Sequence, residues 1–134
     1  MILVDTSVWI DFFNGAATPQ TQTLDHLLDT ELVITGDIIL AELLQGFRSD
    51  SDFQHAIVAM EGLGCYRLAG KEVAIKSAEN YRFFRKKGFT VRKTTDMIIA
   101  TFCIIHDIPL LYSDRDFDPA VKHLGLVSAE KPPR

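Results

Sequence analysis

Residues 2–5, Ile2-Leu3-Val4-Asp5, decide how the rest of the chain is read. Three consecutive apolar residues without polar alternation describe a strand covered on both faces, as in a parallel sheet. Asp5 follows directly and stands at the carboxyl end of that strand. Beyond it, residues 6–13 (TSVWIDFF) fit a helix that Thr6 or Ser7 can cap and Asn14-Gly15 can end.

The same alternation continues outward. Thr18-Pro19 opens a helix, cap followed by proline, in which Leu24, Leu27 and Leu28 form one stripe. Residues 32–34 are a second short strand, and Asp37 can cap a helix through IILAELLQGF. Residues 50–62 fit another helix, with Phe53, Ile57, Val58 and Met60 inward. Residues 65–68 read as a strand. Residues 71–87 form a long helix ending at Gly88, with Val73, Ala74, Ala78, Tyr81 and Phe84 on its buried side. Thr94 or Thr95 caps a helix through DMIIATFCIIHD. Residues 109–112 are a last strand, followed by SDRD and a short helix from Phe117 to Leu124. Strands that alternate with helices predict an α/β fold around a mostly parallel sheet with right-handed crossovers. In such sheets chemistry collects beyond the carboxyl ends of the strands.

The 134 residues suit a single domain, 1–134, with Lys131-Pro132-Pro133-Arg134 expected to fray. A composition 47% hydrophobic and 24% charged is that of a soluble globular protein. Neither an export signal nor a run of roughly 20 apolar residues is found, so a cytoplasmic protein without a membrane span is expected. Cys65 and Cys103 lie in apolar runs and lack metal-like spacing, which predicts two reduced core cysteines. The four histidines, His26, His55, His106 and His123, are scattered and suggest no ligand or catalytic pair.

A net charge of −4 argues against a general nucleic-acid coat protein. The charge is uneven, however. Residues 82–93 (RFFRKKGFTVRK) hold six of the 14 basic residues, Arg82, Arg85, Lys86, Lys87, Arg92 and Lys93, and no acid. Beside an acidic pocket this segment can hold a phosphate backbone, or it can be a solvated helix end. Trp9, Phe12 and Phe13 belong to the core or to a dimer surface before they serve as stacking platforms.

Four acids fall where a site is expected. Asp5 and Asp114 follow strands, while Glu42 (IILAELLQG) and Asp96 (TTDMIIATFC) are embedded in apolar sequence. A carboxylate in apolar surroundings must be paired, metal-bound or protonated. Each has a plain alternative: a helix cap for Asp5 and Asp96, an exposed helix face for Glu42, turn acids for Asp114 and Asp116. Taken together, acids without histidine suit a hard cation, Mg²⁺ or Mn²⁺, rather than zinc.

ILVDTSVWIDFF, ILAELLQGFR and TTDMIIATFCIIHDIPLLYSDRDFD in this order resemble the PIN domain, and closely the VapC-type toxins, over residues 2 to about 127. The resemblance implies a three-layer α/β/α sandwich, a Mg²⁺-dependent endoribonuclease, a homodimer, and a cognate VapB-like antitoxin that blocks the site. tRNA or another structured RNA is the implied substrate. Asp5, Glu42 and Asp96 match the family's first three acids, and Asp114 is assigned as the fourth, with Asp116 as neighbour or co-ligand. Ser113 stands where the family often has threonine, and it keeps the hydroxyl. The competing expectation is a catalytically silent PIN-like interaction module; such modules typically lose acids, and all four are present. A dehalogenase-type phosphatase would need an acid where Ser7 stands.

Overall fold

The computed structural model describes residues 1–130; the expected frayed tail, 131–134, lies outside the described residues. Four strands form one sheet in the order β3-β2-β1-β4: β1 (Ile2–Val4), β2 (Val33–Gly36), β3 (Gly64–Tyr66) and β4 (Leu110–Leu111). Every pairing is parallel, with Ile2 opposite Val33, Leu3 opposite Leu110, and Ile34 opposite Gly64. Ser128 adds a parallel bridge to Leu110 outside β4. The central strands are buried throughout, which is why residues 2–4 show no polar alternation.

Seven α-helices are found among the described residues: α1 (Thr6–Phe13), α2 (Pro19–Thr30), α3 (Asp37–Leu44), α4 (Asp50–Glu61), α5 (Lys71–Lys86), α6 (Thr94–His106) and α7 (Asp118–Leu124). They flank the sheet as the α/β expectation requires. A 3₁₀ turn at Arg115–Phe117 precedes α7. The chain runs outward from β1 through β2 to β3, then crosses back to place β4 on the other side of β1. The order therefore reverses between β1 and β4, and a crevice at their carboxyl ends is the usual ligand position.

Several local expectations are corrected. Asp5, rather than Thr6 or Ser7, caps α1, because the chain leaves the strand at Asp5 with extended backbone. Gly36, rather than Asp37, precedes α3. Asp37 instead accepts hydrogen bonds from the Ile38 and Leu68 amides, at 2.8 and 3.0 Å, tying the chain after β3 to the start of α3. Lys93 stands before α6, so neither Thr94 nor Thr95 caps it. Thr18 does cap α2, in a reciprocal box with Thr21.

The buried stripe of α5 is Val73, Ser77, Asn80 and Phe84, so Ala74, Ala78 and Tyr81 face outward. The stripe is displaced because a polar residue lies inside it: Asn80 Nδ2 donates to Thr101 Oγ1 of α6 at 3.1 Å, which satisfies both groups in the buried interface. In α4 the inward residues are Ala56 and Met60, while Val58 is exposed. Leu28 also lies at the surface. Cys103 is a core residue, but Cys65 is exposed on the edge strand β3; both are free thiols.

Candidate metal and nuclease site

The sheet itself places the first acid. The Asp5 amide donates to the Leu111 carbonyl at 2.9 Å, continuing the β1–β4 ladder to the last residue before α1. The Asp5 side chain is 4% exposed. Its Oδ2 accepts from the Ser7 amide at 3.3 Å and the Ser7 hydroxyl at 2.7 Å. Asp5 is thus both the helix cap and a buried carboxylate. Burial pushes its pKa up, the Ser7 hydrogen bonds oppose this, and the Glu42 charge adds to the rise.

Glu42 approaches Asp5 and Asp96 from α3. Thr6 Oγ1 donates to its Oε1 at 2.8 Å and Thr95 Oγ1 to its Oε2 at 3.3 Å. Two hydroxyls from two different helices therefore fix both carboxylate oxygens. Thr95 is a contact that sequence reading missed, since only a helix-capping role was considered for it.

Asp96 lies in the first turn of α6 and is half-buried. Its Oδ2 is fully enclosed and has no hydrogen-bond partner. Burial raises its pKa to about 7, and the charges of Asp5, Asp114 and Glu42 add to that rise, while Lys93 opposes it. An enclosed carboxylate oxygen without a donor, facing three other acids, is destabilised unless a proton or a cation joins it.

Asp114 caps the 3₁₀ turn, its Oδ1 accepting from the Asp116 amide at 2.9 Å. This turn folds Asp116 back toward Asp114. One ligand oxygen from each of Asp96, Asp114 and Asp116 lies within 4.8 Å of the others. Asp5 and Glu42 stand outside that tightest trio but act on Asp96 through their charge. Ser7 in the first turn of α1 and Ser113 after β4 meet with their hydroxyl oxygens 3.1 Å apart. The carboxylates singled out in the sequence thus gather around Asp96: Asp114 and Asp116 in the close trio, Asp5 and Glu42 near enough for their charges to act on it. The donor set is oxygen only, and the orphaned Asp96 oxygen fits a hard divalent cation.

The six cations of residues 82–93 are all exposed. Arg92 and Lys93 line a crevice together with Asp96 and Asp116. Arg85 lies over the Tyr81 ring at 5.7 Å, and Lys87 over the Phe83 ring at 5.3 Å. Trp9 is a core residue at 2% exposure, and Phe12 and Phe13 pack around it. Among the described residues no helix is long and apolar enough to cross a membrane.

Comparison with known proteins bears on the fold and the family. The ribonuclease VapC11 of Mycobacterium tuberculosis is 28% identical over 131 residues, covering 96% of this chain and 98% of the relative. The VapBC2 complex of Rickettsia felis, solved with a DNA fragment from its promoter, superimposes with a TM-score of 0.77 at 17% identity, over 98% of this chain and 100% of that one. VapC20 of M. tuberculosis, a toxin that cleaves the sarcin-ricin loop, does so with a TM-score of 0.72 at 17% identity, over 98% of this chain and 100% of that one. The family model for the PIN domain matches residues 2–122, and the chain belongs to the PIN-domain family.

Proposed function

We propose that the protein is a metal-dependent endoribonuclease toxin of the VapC kind, cutting tRNA or another structured RNA in the cytoplasm and restrained by a VapB-like antitoxin. The observation that carries the reading is Asp96 Oδ2, enclosed and without a partner in a cluster of carboxylates. The similarity to a VapC ribonuclease along nearly the whole chain supports RNA as the substrate. Toxin–antitoxin complexes among the similar structures support the partner.

Asp96, Asp114 and Asp116 would hold a Mg²⁺ or Mn²⁺ ion, with Asp5 and Glu42 completing its surroundings directly or through water. Bound there, such an ion makes water more acidic and stabilises charge on phosphoryl oxygens. Glu42, oriented by Thr6 and Thr95, is the residue best held to accept the proton of an attacking water. Ser7 aims the Asp5 carboxyl and opposes the rise in its pKa that burial causes. Arg92 and Lys93 neutralise the RNA backbone where it meets the acids, and Arg82, Arg85, Lys86 and Lys87 continue the cationic surface. An antitoxin that blocks an acidic pocket would supply an arginine or lysine to it. The exposed Ala74, Ala78 and Tyr81 of α5 line a groove with Ile98, and a second copy of the chain would cover this face in a homodimer.

The test is cleavage of labelled tRNA and total RNA by antitoxin-free protein in Mg²⁺, Mn²⁺ or EDTA, with Asp96→Asn beside wild type. Discrete fragments that require both metal and Asp96 support the reading. Absence of both cleavage and metal binding in folded protein would favour a non-catalytic interaction module.

A further inference from the structure

The acids follow the carboxyl ends of β1 and β4. At the other end of the sheet an open crevice of about 810 Å³ lies between the end of α6 and the edge strand β3, within the size range of small-ligand clefts. Ile2, Phe102 and Ile108 make its floor, which is apolar and buried. Tyr66, 41% exposed, stands at its rim. The Tyr66 ring lies back over Gly64, 3.5 Å from where a Cβ on that residue would stand. His106 borders the crevice from α6, its ring 4.5 Å from that of Phe102.

Charges of both signs line this crevice in a fixed lateral order. Arg67 follows β3, Glu31 precedes β2, Ile2 lies in β1, and Asp107 precedes β4, in a sheet ordered β3-β2-β1-β4. Glu31 and Asp107 thus stand on either side of β1, roughly 10 Å apart by two strand spacings. Each also ends a helix: Glu31 follows α2, which has no basic residue in its last turn, and Asp107 follows α6. At such negative helix ends a carboxylate is repelled and a cation is favoured. The ion pair of Lys76 with Glu79 is the one found among the described residues, so Arg67, Glu31 and Asp107 leave their charges unpaired.

An occupant that satisfies this lining carries an anion, a cation, an apolar stem and a second cation, in that order. We infer that the crevice is a binding site for a basic α-amino acid, lysine or arginine. Its carboxylate meets Arg67 and its α-ammonium meets Glu31. The aliphatic stem lies on Ile2 and Ile108, and the distal cation reaches Asp107 at the end of α6. The open face of Tyr66 adds apolar contact and attraction for a cation. The inference concerns residues that take no part in the acid cluster, and it stands apart from the nuclease reading.

Titration calorimetry in Mg²⁺ tests it with L-lysine, L-arginine and two analogues: norleucine, which lacks the distal cation, and cadaverine, which lacks the carboxylate. Lysine or arginine is expected to bind with a Kd of about 1 mM or tighter. Norleucine and cadaverine should each bind about 5-fold more weakly than lysine, the scale of one exposed ion pair. Asp107→Asn keeps a residue that accepts the left-handed backbone of position 107, and it should bring lysine down to the level of norleucine. Arg67→Gln should bring lysine down to the level of cadaverine. Asp96→Asn should leave lysine binding as in wild type. The site is overturned if neither basic amino acid binds at about 10 mM, or if norleucine binds as well as lysine. It is overturned equally if Asp107→Asn keeps the advantage of lysine over norleucine, or if Asp96→Asn abolishes binding, which would place the amino acid at the acid cluster. None of these outcomes depends on whether the protein cuts RNA.

Discussion

The hydroxyl oxygens of Ser7 and Ser113 lie 3.1 Å apart, joining the first turn of α1 to the loop after β4. Ser7 has one hydroxyl proton, and the 2.7 Å contact with Asp5 uses it. Ser113 must therefore be the donor to Ser7. The resulting chain, Ser113 to Ser7 to Asp5, makes the first turn of α1 and the loop after β4 hold one carboxylate. Ser7→Ala is expected to weaken Mn²⁺ binding at pH 7.5 by about 10-fold, the scale of a hydrogen bond to a charged group. Ser113→Ala should cost less, since it acts through Ser7. Calorimetric titration with Mn²⁺ checks the order; a larger loss for Ser113→Ala would mean that Ser113 meets the ion itself.

The raised pKa of Asp96 predicts an unusual dependence of stability on pH. Its folded-state value is about 7, against 3.8 for an ordinary aspartate carboxyl. Between these values the folded chain holds a proton that the unfolded chain has released. The Asp96 contribution to metal-free stability therefore falls as pH rises from about 4 to about 7. Asp96→Asn removes the charge and the fall with it. In EDTA at pH 8 it should raise Tm by about 3 °C, close to 1 kcal/mol once solvent screening of a half-buried site is allowed for. At pH 4 the two proteins should melt together. Added Mg²⁺ should stabilise wild type at pH 8 and leave Asp96→Asn nearly unchanged. Thermal melts at the two pH values decide it: an Asn variant less stable than metal-free wild type at pH 8 contradicts the assigned electrostatics.

Much of this arrangement is legible in the sequence because strands and acids are local signals. The run Ile2-Leu3-Val4 has no polar alternation, and the chain has only a few carboxylates embedded in apolar sequence. What could not be read depends on pairing across space. Asn80 is polar in sequence and becomes buried only because Thr101 of another helix satisfies it. That substitution rotated the expected face of α5 and left Tyr81 outside. Cys65 reads as core from its neighbours, yet β3 is an edge strand, and strand order is not written in the local pattern. Thr95 gains meaning only when α3 brings Glu42 to it.

Gly36 offers a test of the frame that carries Glu42. A Cβ built there would lie inside the side chain of Leu68, which is fully buried. The backbone of Gly36 is extended, so conformational freedom is not the reason for glycine; space is. Gly36→Ala should cost about 1–3 kcal/mol by overpacking. In the Leu68→Ala background the same change should cost clearly less, because the opposing side chain is gone. Urea unfolding of the four proteins gives the coupling directly, and additive losses would show that Leu68 is not what Gly36 accommodates.

The cations of residues 82–93 differ in what they face, and this separates two parts of RNA binding. Arg92 and Lys93 share the crevice with Asp96 and Asp116, whereas Arg85 rests on Tyr81 and Lys87 on Phe83, away from that lining. Each phosphate contact removed should lower the slope of log affinity against log salt by about 0.7 for single-stranded RNA. Arg92→Ala with Lys93→Ala should therefore reduce the slope by up to about 1.4 and slow cleavage, since the phosphate they hold is beside the acids. Arg85→Ala should change the slope by half that or less and leave the cleavage rate of bound RNA unaltered. Filter binding of Asp96→Asn protein across a salt series gives the slopes without cleavage, and single-turnover assays on the Asp96 protein give the rates. A salt slope unchanged by loss of both Arg92 and Lys93 would remove the crevice cations from the RNA path and leave them as the solvated end of a loop.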